Sequence, residues 1–243
     1  MPEQLLFTRV LNQTLAGPVT ALLRALHVEP TYPQAPITNA VAMEVLVVGL
    51  LLIFFLVLRS RLSVESPGGL QHIVEGLHGF IEGQSRDVIG PHSEVFTPFL
   101  MTLGLFILLA NLFGVVPGLE SPTAYAVVPL GCAICAFVYY QYQGFRAAGV
   151  GYLKHFLGPM WWLSPLMLPL EIISHLARLM SLTIRLYANM FAGDMVTLVF
   201  FSLIPIAVPV IFLGLHIGVA LLQAYIFVLL TTVYLAGAVA TEH

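Results

Sequence analysis

Polar residues stand far apart along this chain, and the apolar stretches between them predict its elements. Residues 37–58 form a mainly apolar run, with Glu44 its one charged residue, closed by Arg59 and Arg61 and long enough to cross a bilayer as one helix. Residues 69–90 read differently. Leu70, Ile73, Leu77 and Phe80 recur at helical spacing, with His72, Glu75, His78 and Glu82 between them. That pattern predicts an amphipathic helix lying on a membrane surface. Residues 95–116 and 124–142 predict two further spans, a helix hairpin over 95–142, linked by "PGLESPT" without Lys or Arg. Residues 1–36 are mixed and proline-rich. Leu5, Leu6, Val10 and Leu22, Leu23, Leu26 suggest short surface helices broken at Gly17 and Pro18.

After "GPMWWLSPLMLPL", two long apolar stretches fill residues 160–240 on either side of Pro205. At ~1.5 Å per residue, 161–203 would reach roughly 65 Å and 206–240 roughly 52 Å, against an apolar layer about 30 Å thick. An ordinary tilt of about 20° absorbs little of that excess. The expected architecture is therefore an all-α integral membrane protein. It has three ordinary transmembrane helices, one surface helix and a long, strongly tilted antiparallel hairpin. Residues 1–36 are a separate N-terminal segment and 37–243 a single membrane domain.

Composition narrows the class. The 243 residues are 59% hydrophobic and 9% charged, with mean hydropathy +0.95. Soluble domains carry about 25% charged residues, so a membrane protein is the class that fits. A net charge of −3 argues against nucleic acid as a partner. The N-terminus lacks the basic-then-apolar order of a signal peptide, so the chain is expected to be kept whole, in a bacterial inner membrane. Positive charge sets the orientation. Arg59, Arg61, Arg86, Arg146 and Lys154 fall on one side, and only Arg9 and Arg24 on the other. The N-terminus is expected outside, in the periplasm, and the C-terminus in the cytoplasm. "CAIC", Cys132 and Cys135, lies within an apolar run and reads as two small hydrophobes rather than a redox or metal motif. No phosphate-binding loop, cofactor motif or metal motif occurs, so any nucleotide chemistry belongs to other chains.

The long hairpin holds costly groups: Glu171, His175, Arg178, Arg185, Asn189 and Asp194 before Pro205, and His216 and Gln223 after it. An arginine at a helix centre costs about 2.5–3.5 kcal/mol on insertion scales. Arg185 has no acid within one helical turn, which implies a carboxylate supplied from elsewhere. Folding at Pro205 should level Asp194 with His216, and Arg185 with Gln223. Glu171, Arg178 and Arg185 repeat every seven residues and share a face. Asp194, nine residues after Arg185, falls about half a turn away at ~100° per residue. His175 and Arg178 lie nearer the inner end, where snorkelling to the membrane surface is their simplest reading.

"LEIISHLARLMSLTIRLYANMFAGD" followed by "HIGVALLQAYIFVLLTTVYLAGAVATEH" resembles the last two helices of subunit a of the rotary ATP synthase membrane sector. "FLMTLGLFILLANLFGVVPG" resembles that family's third helix. The likeness is strong over residues 92–243 and looser over 37–90, and residues 1–36 carry none. It implies a stator subunit with two offset proton half-channels onto a ring of c subunits, coupling proton flow to rotation and ATP synthesis. Such a subunit is not an enzyme by itself and needs no cofactor. Its partners would be the c-ring, the peripheral-stalk b subunits, the remaining ATP synthase subunits and the bilayer. The resemblance makes Arg185 the ring-facing fixed charge. It places Asp194 and His216 in the outer half-channel and Glu171 in the inner one, with Asn189, Gln223 and His175 in support. Many relatives carry glutamate or histidine where Asp194 stands. Two rival readings are a secondary ion transporter and a structural subunit of a respiratory complex. The first would need internal repeats, and the chain has none. The second would not need an unpaired arginine inside a helix.

Overall fold

The computed structural model describes residues 4–25, 27, 32, 34–63, 68–91, 93–116, 118–152, 164–203 and 207–239. Lys154, Trp161, Trp162, Pro205 and the terminal "TEH", all used in the sequence reading, lie outside these residues. Among the described residues the regular structure is seven α-helices and short 3₁₀ turns, with no strand. The helices are α1 (Leu6–Ala25), α2 (Asn39–Arg61), α3 (Gly69–Ile89), α4 (Thr97–Leu112), α5 (Val127–Ala148), α6 (Ser164–Leu203) and α7 (Ala207–Val239).

α2 begins where Thr38 caps it, its hydroxyl accepting from the Val41 amide at 3.4 Å. It continues through Arg59 and Arg61, a turn past the predicted end. Among the described residues, α2, α6 and α7 contain the three stretches long and apolar enough to cross a membrane: Asn39–Arg61, Pro165–Phe200 and Val210–Val239. α4 departs from the expected span over 95–116. It has 16 residues, about 24 Å of helix, and is extended by 3₁₀ turns at Ser93–Val95 and Phe113–Val115. α5 begins after the expected start and runs on through Gln141, Gln143 and Arg146. It stops at Gly149, whose φ of 56° suits a residue without Cβ and whose amide closes onto the Phe145 carbonyl.

One expectation fails at the N-terminus. Residues 6–25 form one helix that passes unbroken through Gly17 and Pro18. Tertiary contact outweighs the local penalty of proline there. Asn12 is buried and exchanges two 3.0 Å hydrogen bonds with the backbone of Ile37, Nδ2 donating to the carbonyl and Oδ1 accepting from the amide. Phe7, Leu11 and Val19 pack with Met43, Val47 and Ala110 of α2 and α4. Both halves of α1 are thereby held to the same surface.

α6 and α7 pack on each other and on α5, and α7 also packs on α4. Their shared core includes Ile107, Cys132, Ala133, Leu186, Met190 and Phe227. Cys132 is buried there as a small hydrophobe, whereas Cys135, expected to be buried with it, is exposed because it lies away from the buried side of α5. Gly104 sets how closely α4 approaches α7, because a Cβ on it would sit 2.8 Å from Val228 Cγ2. α3 leans on α4 and α7 through Ile81, and Gln84 Nε2 donates to the Tyr225 hydroxyl at 3.0 Å. Its exposed side carries a polar line. His78 and Arg86 lie 3.5 and 3.1 Å from Glu82, and Arg86 lies 3.1 Å from Glu94.

Candidate functional site

The polar residues of the α6–α7 hairpin gather into two clusters separated along α6, with Arg185 between them in sequence. The first is built around His216. Its ring is only 4% exposed, and Nδ1 lies 3.8 Å from Asp194 Oδ1. Two glycines make room for it. A Cβ on Gly193 would fall 2.9 Å from His216 Nδ1, and one on Gly114 would fall 3.2 Å from Nε2 and 3.0 Å from Asp194 Oδ1. Any other residue at either position would press on the ring or the carboxylate. A cavity of about 220 Å³ opens beside the pair, lined by Asn189, Gly193, Thr197, Phe212 and His216 among others.

The wall behind this pair comes from α4 and the link that follows it. Asn111 is fully buried. Its Nδ2 donates to the Ala220 carbonyl on α7 at 3.4 Å, and its Oδ1 accepts from the Thr123 hydroxyl at 2.6 Å. Ser121 Oγ lies 2.7 Å from the Thr123 hydroxyl and 3.1 Å from the Ala110 carbonyl, and its one proton serves one of these acceptors at a time. This satisfied network fixes the link against the hairpin.

One turn back along α6, Asn189 Nδ2 donates to Gln223 Oε1 at 2.8 Å. Gln223 therefore engages Asn189 and not Arg185, the residue the hairpin count had set opposite it. The reason is local: Asn189 lies one turn nearer the bend and has the shorter reach to the buried amide. Arg185 is half-exposed, and its guanidinium donates to Ser181 at 3.4 Å. Among the described residues no ion pair within 4.0 Å includes it. Ser181, Ile184, Ala188 and Ala192 around it are exposed, so the charge stands on an apolar face with small side chains.

The second cluster lies toward the start of α6. His175 is 8% exposed, with Nε2 3.4 Å from Glu171 Oε1 and Nδ1 hydrogen-bonded to the Tyr140 hydroxyl at 2.9 Å. The Arg178 guanidinium sits over the Tyr234 ring, 5.3 Å from its centroid. These groups line a cavity of about 120 Å³ with Tyr152. Aromatic side chains from α5 and α7 hold His175 inside the bundle and flank the half-buried Arg178, where cation–π contact offsets part of its desolvation cost.

Sequence pattern did not mark Tyr140, Tyr234, Asn111 or Gly114, nor the clearance that Gly193, part of the quoted motif, gives His216. Tyr140 sits in "YYQYQ", a polar aromatic tract inside an apolar helix, and that tract was the available signal. The glycines had none, because what each one clears is a side chain on another helix.

A family model described as ATP synthase A chain matches residues 41–236. Among curated relatives, ATP synthase subunit a of Koribacter versatilis is 58% identical over 244 residues, covering all of both chains. ATP synthase subunit a of Solibacter usitatus is 51% identical over 233 residues, 96% of this chain and 99% of its own. ATP synthase subunit a 2 of Syntrophotalea carbinolica is 42% identical over 177 residues, 73% of this chain and 76% of its own. The likeness to the first relative extends through residues 1–36, where the sequence motifs had given no match.

Proposed function

The chain belongs to the ATP synthase A chain family, and on that premise we propose that it is the stator subunit that feeds protons to and from a rotating c-ring. It is a membrane protein of the rotary ATP synthase membrane sector, and its partners include other ATP synthase subunits. The carrying observation is Arg185: a fixed charge without an ion-pair partner among the described residues, on an exposed apolar face, between two carboxylate–histidine pairs along one hairpin.

The chemistry follows from that arrangement. A ring carboxylate can face lipid when protonated and neutral, and cannot when ionised. A proton enters from the periplasmic side by Asp194 and His216 and neutralises it. The ring turns, and the carboxylate releases its proton on the cytoplasmic side by Glu171 and His175. Arg185 keeps the passing carboxylate ionised and repels protons from a direct path. Asn189 and Gln223 hold the hairpin together at its level. A membrane potential contributes about 2.3 kcal/mol per charge per 100 mV to this cycle. In this reading residues 1–36 form an outer-face segment and 37–243 one membrane unit. The b subunits of the peripheral stalk brace that unit, and nucleotide chemistry resides on other subunits.

The test is passive proton flux through membranes holding the assembled sector but stripped of the ATPase head. Asp194→Asn and His216→Gln should each slow flux, and the double variant should be little worse than the poorer single. Exchanging the pair, Asp194→His with His216→Asp, should recover more than either single change. Independent losses that simply add, with normal assembly, would count against a shared entry. A fully active chain purified without any ring would favour the transporter.

A further inference from the structure

A cleft of about 540 Å³ lies where α3, α4 and α7 meet, and nothing in the proposed cycle uses it. Leu77 and Ile81 of α3, Leu105 and Leu108 of α4, and Gly218 and Leu221 of α7 form its walls. The polar side chains at its edge, Gln84 and Tyr225, are hydrogen-bonded to each other at 3.0 Å. The cleft therefore offers an occupant shape and no charge. Its depth is set by α7: the lining residues between Gly218 and Val228 stand in the middle of the apolar stretch Val210–Val239, so the cleft lies at apolar depth in the bilayer. It also lies off the Arg185 face. Gln223 of α7 bonds Asn189 of α6, and none of the described residues of α6 lines the cleft.

What fills such a cleft follows from its surroundings. Lipid tails are as apolar as leucine, so no hydrophobic drive closes it, and an unfilled void forfeits van der Waals contacts. A dry apolar cavity of about 150 Å³ takes one benzene, a molecule of six carbons. In proportion, about 540 Å³ takes roughly twenty carbons, the size of one lipid acyl chain and far more than one protein side chain. We propose that the cleft is a binding site for one acyl chain of a membrane phospholipid, held between α3 and the α4–α7 pair. Leu70, Ile73 and Phe80, exposed along the apolar side of α3, continue the track by which the chain enters. The Gln84–Tyr225 bond and the Phe80 ring, 5.9 Å from that of Tyr225, tie α3 to α7 beside the chain. The site stands whether or not protons take the route proposed above.

The experiment uses the assembled membrane sector in phosphatidylcholine vesicles that carry some phosphatidylcholine with a diazirine near the end of one acyl chain. After illumination the labelled peptides are mapped, with ring co-purification as the assembly check. Label should concentrate on residues 77–84, 105–108 and 218–225. It should saturate as the photolipid fraction rises, while label on the rest of the lipid-exposed surface rises in proportion. Gly218→Phe should fill the cleft, since a Cβ there meets nothing within 4 Å, and should abolish the cleft label while the remaining label is unchanged. Leu105→Trp narrows the facing wall and should act likewise, which keeps the test decisive if one variant does not assemble. Cleft label that rises in strict proportion without saturating marks ordinary boundary lipid and overturns the proposal. Absence of label at these residues, beside a labelled surface elsewhere, means that a neighbouring helix of the complex fills the cleft, and overturns it too. So does a cleft label that the fillers leave unchanged.

Discussion

The two polar clusters use the same pair of groups, a carboxylate and a histidine, and hold them in opposite ways. At Asp194 and His216 the contact is long, 3.8 Å. The room around them comes from Gly193 and Gly114. At Glu171 and His175 the histidine is pinned by Tyr140, whose ring stacks on it at 5.9 Å between centroids, and Arg178 is parked on Tyr234. A loose pair cleared by glycines can accept a group or a proton from a third party. A pair clamped by aromatic side chains has a fixed geometry. In the proposed cycle the difference suits intake at one end and release at the other.

The largest effect should come from removing what separates the clusters. Arg185→Ala should lower ATP-driven proton pumping at least about 100-fold, the scale on which a preorganised charge acts. The subunit should still insert and co-purify with its complex. Arg185→Lys should fail nearly as badly, because a compact, strongly hydrated ammonium reaches a different point than a planar guanidinium. Normal coupled pumping in either variant would remove the reason for treating the clusters as separate paths.

The next effect tests whether room is what distinguishes the outer pair. Gly193→Ala adds a methyl 2.9 Å from His216 Nδ1, and overpacking of that kind costs about 1–3 kcal/mol. Alanine returns roughly 1 kcal/mol through its helix propensity, so the net destabilisation is small. The displaced ring should nonetheless slow passive proton flux about tenfold, the result of a 1.4 kcal/mol rise in barrier. Gly104→Ala is the control. Its methyl would meet Val228 Cγ2 at 2.8 Å in dry core, away from both clusters. It should cost stability and leave flux per assembled complex unchanged. Equal flux losses in the two variants would mean that steric disturbance anywhere in the bundle slows the protein.

Much of this contrast was legible in the sequence, and the part that was not has a physical cause. Counting residues out from Pro205 was enough to bring Asp194 beside His216, since an antiparallel helix pair fixes depth by residue number alone. The same count set Gln223 against Arg185, whereas the bond goes to Asn189 one turn away. Depth is readable to about a turn, and side-chain reach decides within it. The apolar periodicity of 69–90 matched α3 to within a residue of its end. The unbroken α1 was missed because Asn12 gains its partner from Ile37, in another element. Gly114, Asn111 and Tyr140 escaped for the same reason. Each acts on a residue far along the chain, and no local pattern marks such a contact.

The smallest effect concerns the clamp on the inner pair. Tyr140→Phe keeps the ring that stacks on His175 and removes only the hydroxyl bonded to Nδ1 at 2.9 Å. A hydrogen bond of this kind contributes about 1 kcal/mol net, so the imidazole should reorient without the bundle losing its fold. If fixed geometry at Glu171 and His175 is what the release side needs, flux should fall roughly threefold to fivefold, by the ~1.4 kcal/mol per decade of rate. The loss should appear when release into the cytoplasmic side limits the rate, and vanish when entry limits it. Combining Tyr140→Phe with Gly193→Ala provides that condition. With entry already slow, the tyrosine change should add almost nothing, because the two lie on successive steps of one path. A full additional threefold to fivefold loss in the double variant would place Tyr140 on the same step as the outer pair. The two clusters would then be one polar network, and the contrast between them would carry no functional meaning.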